Sequence, residues 1–389
     1  MPRKGHTPKG IISGEVFNLF LYGINIMSTF KYVLSRIALM LVVFVVTMVL
    51  CFCLIRLLPF KSEATGLQAI TEQRRLQMLG WADTDADGNK ITMIEKLGKW
   101  IYNILFRDVQ SIDPETGEKT KIEYDEKTGE IIPNPDGRPD WDWGVSLKID
   151  YLKDVTEVVG DRMTPTILLN VYSLLISIPI GIAFGIFAAL KKNKWQDHFI
   201  STAVMLFISV PSFVYAFLLQ YFFAFKWGIL PAQSSSLMDA GGSYFSWEMS
   251  KSLILPVLSM SFGTIAGLTR STRAELTEAL TSEYMLLART KGLTRSQSIM
   301  RHALKNAMVP ILPGIISSFV GILSGSYIIE QIFGVPGVGK LYIMSINMRD
   351  YDLFMFITAF YGFIGLLSNI LIDLSYGFLD PRVKMGAKK

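Results

Sequence analysis

The sequence is poor in charged residues, cysteine and histidine. Only 18% of its 389 residues are Asp, Glu, Lys or Arg, below the roughly 25% of a soluble domain, and 50% are apolar. The two cysteines, Cys51 and Cys53, share one apolar run, and the three histidines are scattered, so a disulfide framework and a histidine metal cage are excluded. High apolar content also excludes a disordered chain. The remaining class is a polytopic membrane protein.

The net charge of +5 hides an uneven distribution. Residues 61–163 hold 21 of the 33 acidic side chains and 14 of the 38 basic ones, so this segment carries −7 and the remainder +12. Two compartments with different charge are therefore expected.

Apolar stretches long enough to cross a bilayer predict an all-α protein with six transmembrane helices. A span needs about 20 mostly apolar residues. The six stretches are 32–58, 165–190, 199–225, 253–269, 307–329 and 353–379, and the fourth is short. The last five form a core over residues 164–379.

Lys and Arg near the span ends predict the orientation. They cluster before the first span, in the turn at Lys191, in the loop 270–306 and in the tail 380–389. All four regions fall on one side of the membrane if there are six spans, and the positive-inside rule makes that side cytoplasmic. We therefore expect a multi-pass protein of the plasma membrane with both termini inside. Residues 1–31 are interpreted as an interfacial cytoplasmic segment, with a frayed leader as the alternative.

The polar segment between the first two spans, residues 59–163, is predicted to be a small mixed α/β domain outside the membrane. Residues 66–79 and 94–106 are typical of helices, and the turn motifs after residue 113 favour a meander of hairpins. Asp83, Asp85 and Asp87 match the first half of an EF-hand calcium loop, but Ile94 stands where the bidentate Glu belongs. A solvated Asp/Gly turn is the favoured interpretation, with a variant calcium site as the alternative, and no cofactor is expected.

A second motif, Gly334-Val-Pro-Gly-Val-Gly-Lys, fits the spacing of a phosphate-binding loop. Leu341 follows it where a true loop needs Ser or Thr for Mg²⁺, and no buried strand precedes it. Because the motif follows a span and faces outside, we do not expect it to bind nucleotide or this chain to hydrolyse ATP. Gly334, Pro336, Gly337 and Gly339 instead suit a tight turn or gate in the extracytoplasmic mouth.

The cytoplasmic loop is the most informative stretch. Residues 273–291 are predicted to form a helix with an apolar stripe, Gly292 to cap it, and a second helix to lead through Pro310 into the fifth span. A basic, partly apolar helix–Gly–helix at the membrane surface is suited to dock on a partner.

Here the sequence resembles the permease subunits of ABC importers of the oligopeptide, dipeptide and nickel group, and within it the B-type subunit. The resemblance rests on Ala288-Arg-Thr-Lys-Gly-Leu, on His302-Ala-Leu-Lys-Asn-Ala with Pro310, and on the run from Ile329 to Leu341. Further motifs are Arg349-Asp-Tyr, Leu371-Ile-Asp, Leu379-Asp-Pro-Arg, Leu54-Ile-Arg-Leu-Leu-Pro, Trp143-Gly-Val-Ser and Arg162-Met-Thr-Pro-Thr. Pro59-Phe-Lys-Ser replaces the usual Pro-Gly-Asp-Pro, and the insert is longer than usual.

The resemblance implies alternating access driven by partners. These are a second homologous permease, two ATP-binding subunits, an extracytoplasmic binding protein, membrane lipid and a peptide substrate, with no nucleic acid. The implied ATPase-coupling residues are Glu283, Tyr284, Ala288, Arg289, Lys291, Gly292 and Leu293. Ala288 would let the helix approach the ATPase closely, and Gly292 would allow the turn. Oligopeptides are the expected substrate, with dipeptides, nickel chelates or glutathione as alternatives.

Two other functions compete with the importer. A secondary transporter usually needs ionisable groups near the bilayer midplane. Asp373 is the only carboxylate expected within a span, about two turns from its cytoplasmic end, where capping or pairing is at least as good an explanation. A receptor or assembly factor would not need the docking loop.

Overall fold

The computed structural model describes most of the chain. The described residues are 12–57, 89–106, 110–112, 119–124, 131–134, 143–144, 146–150, 153–239, 241–323 and 325–379. They are mostly helical, which confirms the predicted class.

The elements are numbered in chain order. The α-helices are α1 (Ile12–Arg56), α2 (Met93–Phe106), α3 (Val155–Leu190), α4 (Trp195–Ser209), α5 (Ser212–Leu219), α6 (Trp247–Leu280), α7 (Glu283–Thr290), α8 (Arg295–Ser298), α9 (Leu304–Met308), α10 (Leu312–Val320), α11 (Tyr327–Ile332), α12 (Val338–Met348) and α13 (Tyr351–Leu379). The strands are β1 (Gln110–Ile112), β2 (Lys119–Tyr124) and β3 (Ile131–Asn134). Two π-helical segments, Gln220–Lys226 and Ile299–Ala303, and one 3₁₀ turn, Gly321–Leu323, complete them.

Four helices, α1, α3, α6 and α13, are long and apolar enough to cross a membrane. They carry the predicted first, second, fourth and sixth spans. The fourth was predicted too short: α6 extends over 34 residues, because the polar stretch after residue 269 contains strong helix formers such as Ala274, Glu275 and Leu276. Of the predicted interfacial segment 1–31, residues 12–31 are described, and they are continuous with the first span in α1.

The predicted third span, 199–225, is not one straight helix. Helices α4 and α5 meet at an angle of 98°, and the π-helical segment Gln220–Lys226 continues α5. Pro211 causes the break, because it has no N–H to donate and forces Val210 into extended backbone at φ −92° and ψ 126°.

The predicted fifth span, 307–329, is also broken. The stretch Arg295–Met308 and the stretch Leu312–Leu323 differ in direction by 53° around Pro310. Residues 327–332 then form the separate helix α11. The described residues therefore contain four unbroken candidate spans, or up to six if each bent pair counts as one.

Part of the insert is described. Strands β1, β2 and β3 form an antiparallel sheet in that order. Helix α2 matches the predicted helix 94–106 and packs on α1, with the rings of Trp100 and Phe52 5.3 Å apart. The predicted helix 66–79 and the candidate calcium ligands Asp83, Asp85 and Asp87 lie outside the described residues.

Helices α3 and α6 form the closest helix pair of the core. A Cβ on Gly181 would lie 2.7 Å from the Cβ of Leu268, and one on Gly185 would lie 2.5 Å from the Cβ of Thr272. The Thr269 hydroxyl donates to the Gly181 carbonyl at 3.1 Å. Small residues and a buried hydroxyl therefore hold the two helices together, as is common in membrane proteins.

Candidate functional site

The predicted docking helix is separated from α6 by a short turn. The sequence predicts one helix over 273–291, but α6 ends at Leu280 and α7 begins at Glu283. Ser282 has extended backbone and its hydroxyl donates to the Ala279 carbonyl at 2.6 Å. Ser and Thr side chains compete with helical hydrogen bonds in this way, which explains the break.

Gly292 ends α7 as predicted. Its φ of +87° is in the left-handed region, and its N–H donates to the Arg289 carbonyl at 3.0 Å. Thr294 then begins α8 with a capping box, in which Gln297 is the partner. A turn at Gly292 therefore separates two short helices, α7 and α8.

The two faces of α7 differ sharply in exposure. Met285 and Ala288 are each 5% exposed, and Met285 packs in a cluster with Leu276 and Ala303. Ala288 was expected to let the helix approach an ATPase closely; in this chain its side chain is buried. A small residue there lets α7 approach its own neighbours.

The outward face of α7 is apolar and was missed by sequence reasoning. Leu286 is 68% exposed and Leu287 55%, with Tyr284 and Met300 also exposed. Of the other predicted coupling residues, Glu283, Arg289, Lys291 and Gly292 are exposed and Leu293 is half-buried. Because Met285 and Ala288 are three residues apart and both point inward, the two leucines between them must point away.

Basic side chains surround this apolar face. Exposed cations within residues 283–305 are Arg289, Lys291, Arg295, Arg301 and Lys305, against the single carboxylate of Glu283. A partner surface with an apolar groove and acidic edges would be complementary to it.

An ion pair braces α6 close to this helix. Asp197 is 1% exposed, and Arg273 donates to both of its oxygens, from Nε at 2.5 Å and from Nη2 at 2.8 Å. The N–H of Asn193 adds a bond of 2.9 Å. The start of α4 is thereby fixed to α6 two turns before α6 ends. In the sequence, Arg273 was used only as one of the cations that predict orientation. The available signal for the ion pair was Asp197, an isolated carboxylate after three lysines.

The predicted gate glycines lie in a compact segment, residues 325–340, which we call the gate segment. Its centre is the fully buried side chain of Glu330, which was not predicted. The Glu330 carboxyl accepts bonds from the N–H of Lys340 at 2.7 Å, the N–H of Ser326 at 3.2 Å and the Thr166 hydroxyl at 3.2 Å, and another from the N–H of Gly339. Gly334 has a φ of +66°, which favours glycine at this turn.

This arrangement explains the motif that resembles a phosphate-binding loop. In such a loop, backbone N–H groups at a helix N-terminus hold a phosphate. Here the N–H groups of Gly339 and Lys340, in the first turn of α12, hold the protein's own Glu330 carboxyl. The anion position is therefore already filled, consistent with the expectation that no nucleotide binds.

Asp373 has an ion-pair partner, which agrees with the interpretation that it caps or pairs and does not transfer protons. Its Oδ2 lies 3.5 Å from Nε of Arg36 on α1, and both side chains are partly exposed. Within the part of the chain that the structure describes, no three His, Cys, Asp or Glu residues are grouped so that they could hold a metal ion.

Comparison with known proteins places these features in context. Residues 181–385 match the family described as binding-protein-dependent transport system inner membrane component. The dipeptide transport system permease protein DppB of Bacillus subtilis is 35% identical over 251 residues, which are 64% of this chain and 76% of that protein. The oligopeptide transport system permease protein OppB of Escherichia coli is 34% identical over 244 residues, 62% of this chain and 76% of that protein.

Similarity to solved structures was also found. One example is the crystal structure of an amino acid ABC transporter with histidines, with a TM-score of 0.43 and 20% identity, and the match covers 57% of this chain and 94% of that chain.

Proposed function

Since this chain belongs to the family of binding-protein-dependent transport system inner membrane components, the permease subunits of ABC importers, we propose that it imports peptides as one half of a two-permease translocation path. It is a multi-pass membrane transport subunit and not itself an enzyme. The observation that carries the substrate class is the 35% identity to a dipeptide permease and the 34% identity to an oligopeptide permease.

The proposed topology has six spans with both termini in the cytoplasm. It counts each of the two bent pairs as one span. Lys191, Lys192 and Lys194, in the turn between α3 and α4, and the five cations around α7 then share the cytoplasmic side. Residues 59–163 form the extracytoplasmic insert, a small α/β domain that contains α2 and the three strands.

The proposed membrane contacts of α1 follow from its exposure. Leu41, Val42 and Val46 are each more than half exposed, although this helix is the most hydrophobic candidate span. Lipid tails cover such a surface at no hydrophobic cost.

Helix α7 is the proposed ATPase-coupling element. Its Leu286 and Leu287 side chains would enter a groove on one of two ATP-binding subunits, and Glu283, Arg289 and Lys291 would make polar contacts at its edge. Met285 and Ala288 anchor the helix to its own chain, so that a displacement of α7 by the ATPase is carried to the end of α6. The Asp197–Arg273 pair would carry it further to α4.

The gate segment is the proposed extracytoplasmic gate. Gly334, Pro336, Gly337 and Gly339 form its turn, and its apolar side chains Phe333 and Val335 are fully buried against α3 and α6. Peptide released by an extracytoplasmic binding protein would pass when this segment separates from the core. A second, homologous permease would supply the other side of the path.

Reconstitution tests this function. The chain, a second permease, the ATP-binding subunits and the binding protein are placed in proteoliposomes with labelled trialanine. Uptake should require ATP and persist when a protonophore removes the proton gradient. Uptake driven by an ion gradient without ATP would contradict the importer and favour a secondary transporter. Competition by dipeptides, nickel chelates or glutathione then sorts the substrate classes.

A further inference from the structure

Glu330 lacks the charge partner that a buried carboxyl usually has. Every hydrogen bond to it comes from a backbone N–H or a hydroxyl, and within the described residues no Lys, Arg or His pairs with it. An ionised carboxylate is an acceptor only, so four donors satisfy both of its oxygens. Its burial therefore depends on donors that must all stay in place.

Three glycines make room for this carboxyl. A Cβ on Gly337 would lie 2.5 Å from Oε2 of Glu330, one on Gly325 would lie 2.7 Å from Oε1, and one on Gly339 would lie 3.0 Å from Oε2. Real Cβ atoms essentially never approach another atom within 3.0 Å, and contacts of 3.0–3.4 Å are uncommon. The backbone of the gate segment is thus folded tightly around one side chain.

Thr166 joins this centre to α3. Its hydroxyl donates to Oε1 of Glu330 at 3.2 Å and accepts from the N–H of Val338 at 2.9 Å, and Thr166 is fully buried. One hydroxyl therefore bonds both α11 and the start of α12 to a membrane-spanning helix. Separation of the gate segment from α3 must break both bonds.

We propose that Glu330 and Thr166 form a latch that holds the extracytoplasmic gate shut in the resting transporter. Both are positioning residues, and the inference rests on the gate assigned above. The packed state satisfies the carboxyl with protein donors, while the open state admits water, which satisfies it equally well. A buried ion pair is satisfied only while its two charges stay together. The Glu330 carboxyl is satisfied in both the packed and the open state, as an element with two stable states requires.

The test compares two buried threonines. Thr166→Val removes the latch hydroxyl and keeps the shape of the side chain. Thr269→Val is the matched control, since Thr269 is equally buried and its hydroxyl joins α3 to α6 away from the gate. The reporter is Val335→Cys, fully buried in the gate segment, in a Cys51→Ser, Cys53→Ser background. A membrane-impermeant maleimide is added from outside, and ATP hydrolysis is measured without binding protein.

Thr166→Val should raise both the resting labelling rate and the hydrolysis without binding protein by about fivefold or more, the smallest effect expected for an unpaired buried donor. Thr269→Val should change neither, and Thr166→Ser should restore the parent rates. Glu330→Gln is a second test of the latch. The NH₂ group of the new amide would face donors that now bond to the carboxylate, so this variant should also raise the labelling and hydrolysis rates. Loss of stability alone would lower hydrolysis and not raise it.

Two results would overturn the latch. If trapping with ATP and vanadate exposes Val335→Cys in the parent but neither variant alters the resting rates, the gate stands and the latch is wrong. If trapping leaves labelling unchanged and both variants label like the parent, the gate and the latch fail together.

Discussion

Two buried carboxylates, Asp197 and Glu330, show how differently the two ends of this membrane protein are held together. Asp197 is 1% exposed and Glu330 0%, and both oxygens of each accept hydrogen bonds. Asp197 has a guanidinium on α6 as its main partner. Among the described residues, Glu330 is bonded only by backbone N–H groups and the Thr166 hydroxyl, and no cation pairs with it.

This difference in partners agrees with the proposed roles, which are coupling near Asp197 and gating near Glu330. If a displacement of α7 is to be carried to α6 and α4, these helices must move together. The bidentate ion pair between α4 and α6 holds them in a fixed geometry. An end that opens and closes needs contacts that can be exchanged for water. We infer that the cytoplasmic brace is rigid and the extracytoplasmic latch is releasable.

Removal of Arg273 should give the largest effect, because Asp197 would be left buried without its cation. Arg273→Ala should lower the free energy of unfolding by about 3–5 kcal/mol. Thermal unfolding in detergent measures it. Arg270→Ala is the control, since Arg270 is exposed on the same helix one turn earlier. Equal melting temperatures for the two variants would show that the brace contributes nothing.

Alanine substitutions at Gly337 and Gly292 compare a crowded glycine in the gate segment with an uncrowded glycine after α7. A Cβ on Gly337 would collide with Glu330 and Thr166, so Gly337→Ala should cost about 1–3 kcal/mol and loosen the gate. A Cβ on Gly292 meets no atom within 4 Å, so Gly292→Ala should cost only about 1 kcal/mol from its left-handed backbone. Labelling of Val335→Cys should rise in the first variant only; a rise in both, or in neither, would remove the distinction.

Asp373→Asn should have the smallest effect. The Arg36–Asp373 pair is 3.5 Å long and partly exposed, and such pairs contribute about 0–1 kcal/mol. ATP-driven uptake of labelled trialanine should remain within twofold of the parent. Loss of uptake with normal protein levels would mean that this carboxylate moves protons, as in a secondary transporter.

The long apolar stretches were predictable from sequence because lipid imposes about 20 apolar residues on each span. The breaks at Pro211 and Pro310 were not, since proline is tolerated inside membrane helices and does not break all of them: Pro165 and Pro179 lie within α3. Proline in an apolar stretch therefore does not by itself predict a break.

The motif predicted a docking helix before Gly292, and the turn at Gly292 was predicted from its position after that helix. Ala288 points inward and Leu287 outward because of where α7 packs relative to α6. The sequence pattern alone did not establish that packing. Glu330 was read only as part of a motif, because its donors come from residues 4, 9, 10 and 164 positions away and only folding brings them together.

The most direct test of the account asks whether the docking face of α7 controls the gate at the other end. Leu286→Ala combined with Leu287→Ala removes the exposed apolar pair, and Leu41→Ala combined with Val42→Ala on α1 is the control. Labelling of Val335→Cys is measured with and without ATP and vanadate. We predict that trapping raises labelling in the parent and the control but not in the α7 variant. Equal ATP-dependent labelling in all three would contradict coupling through α7.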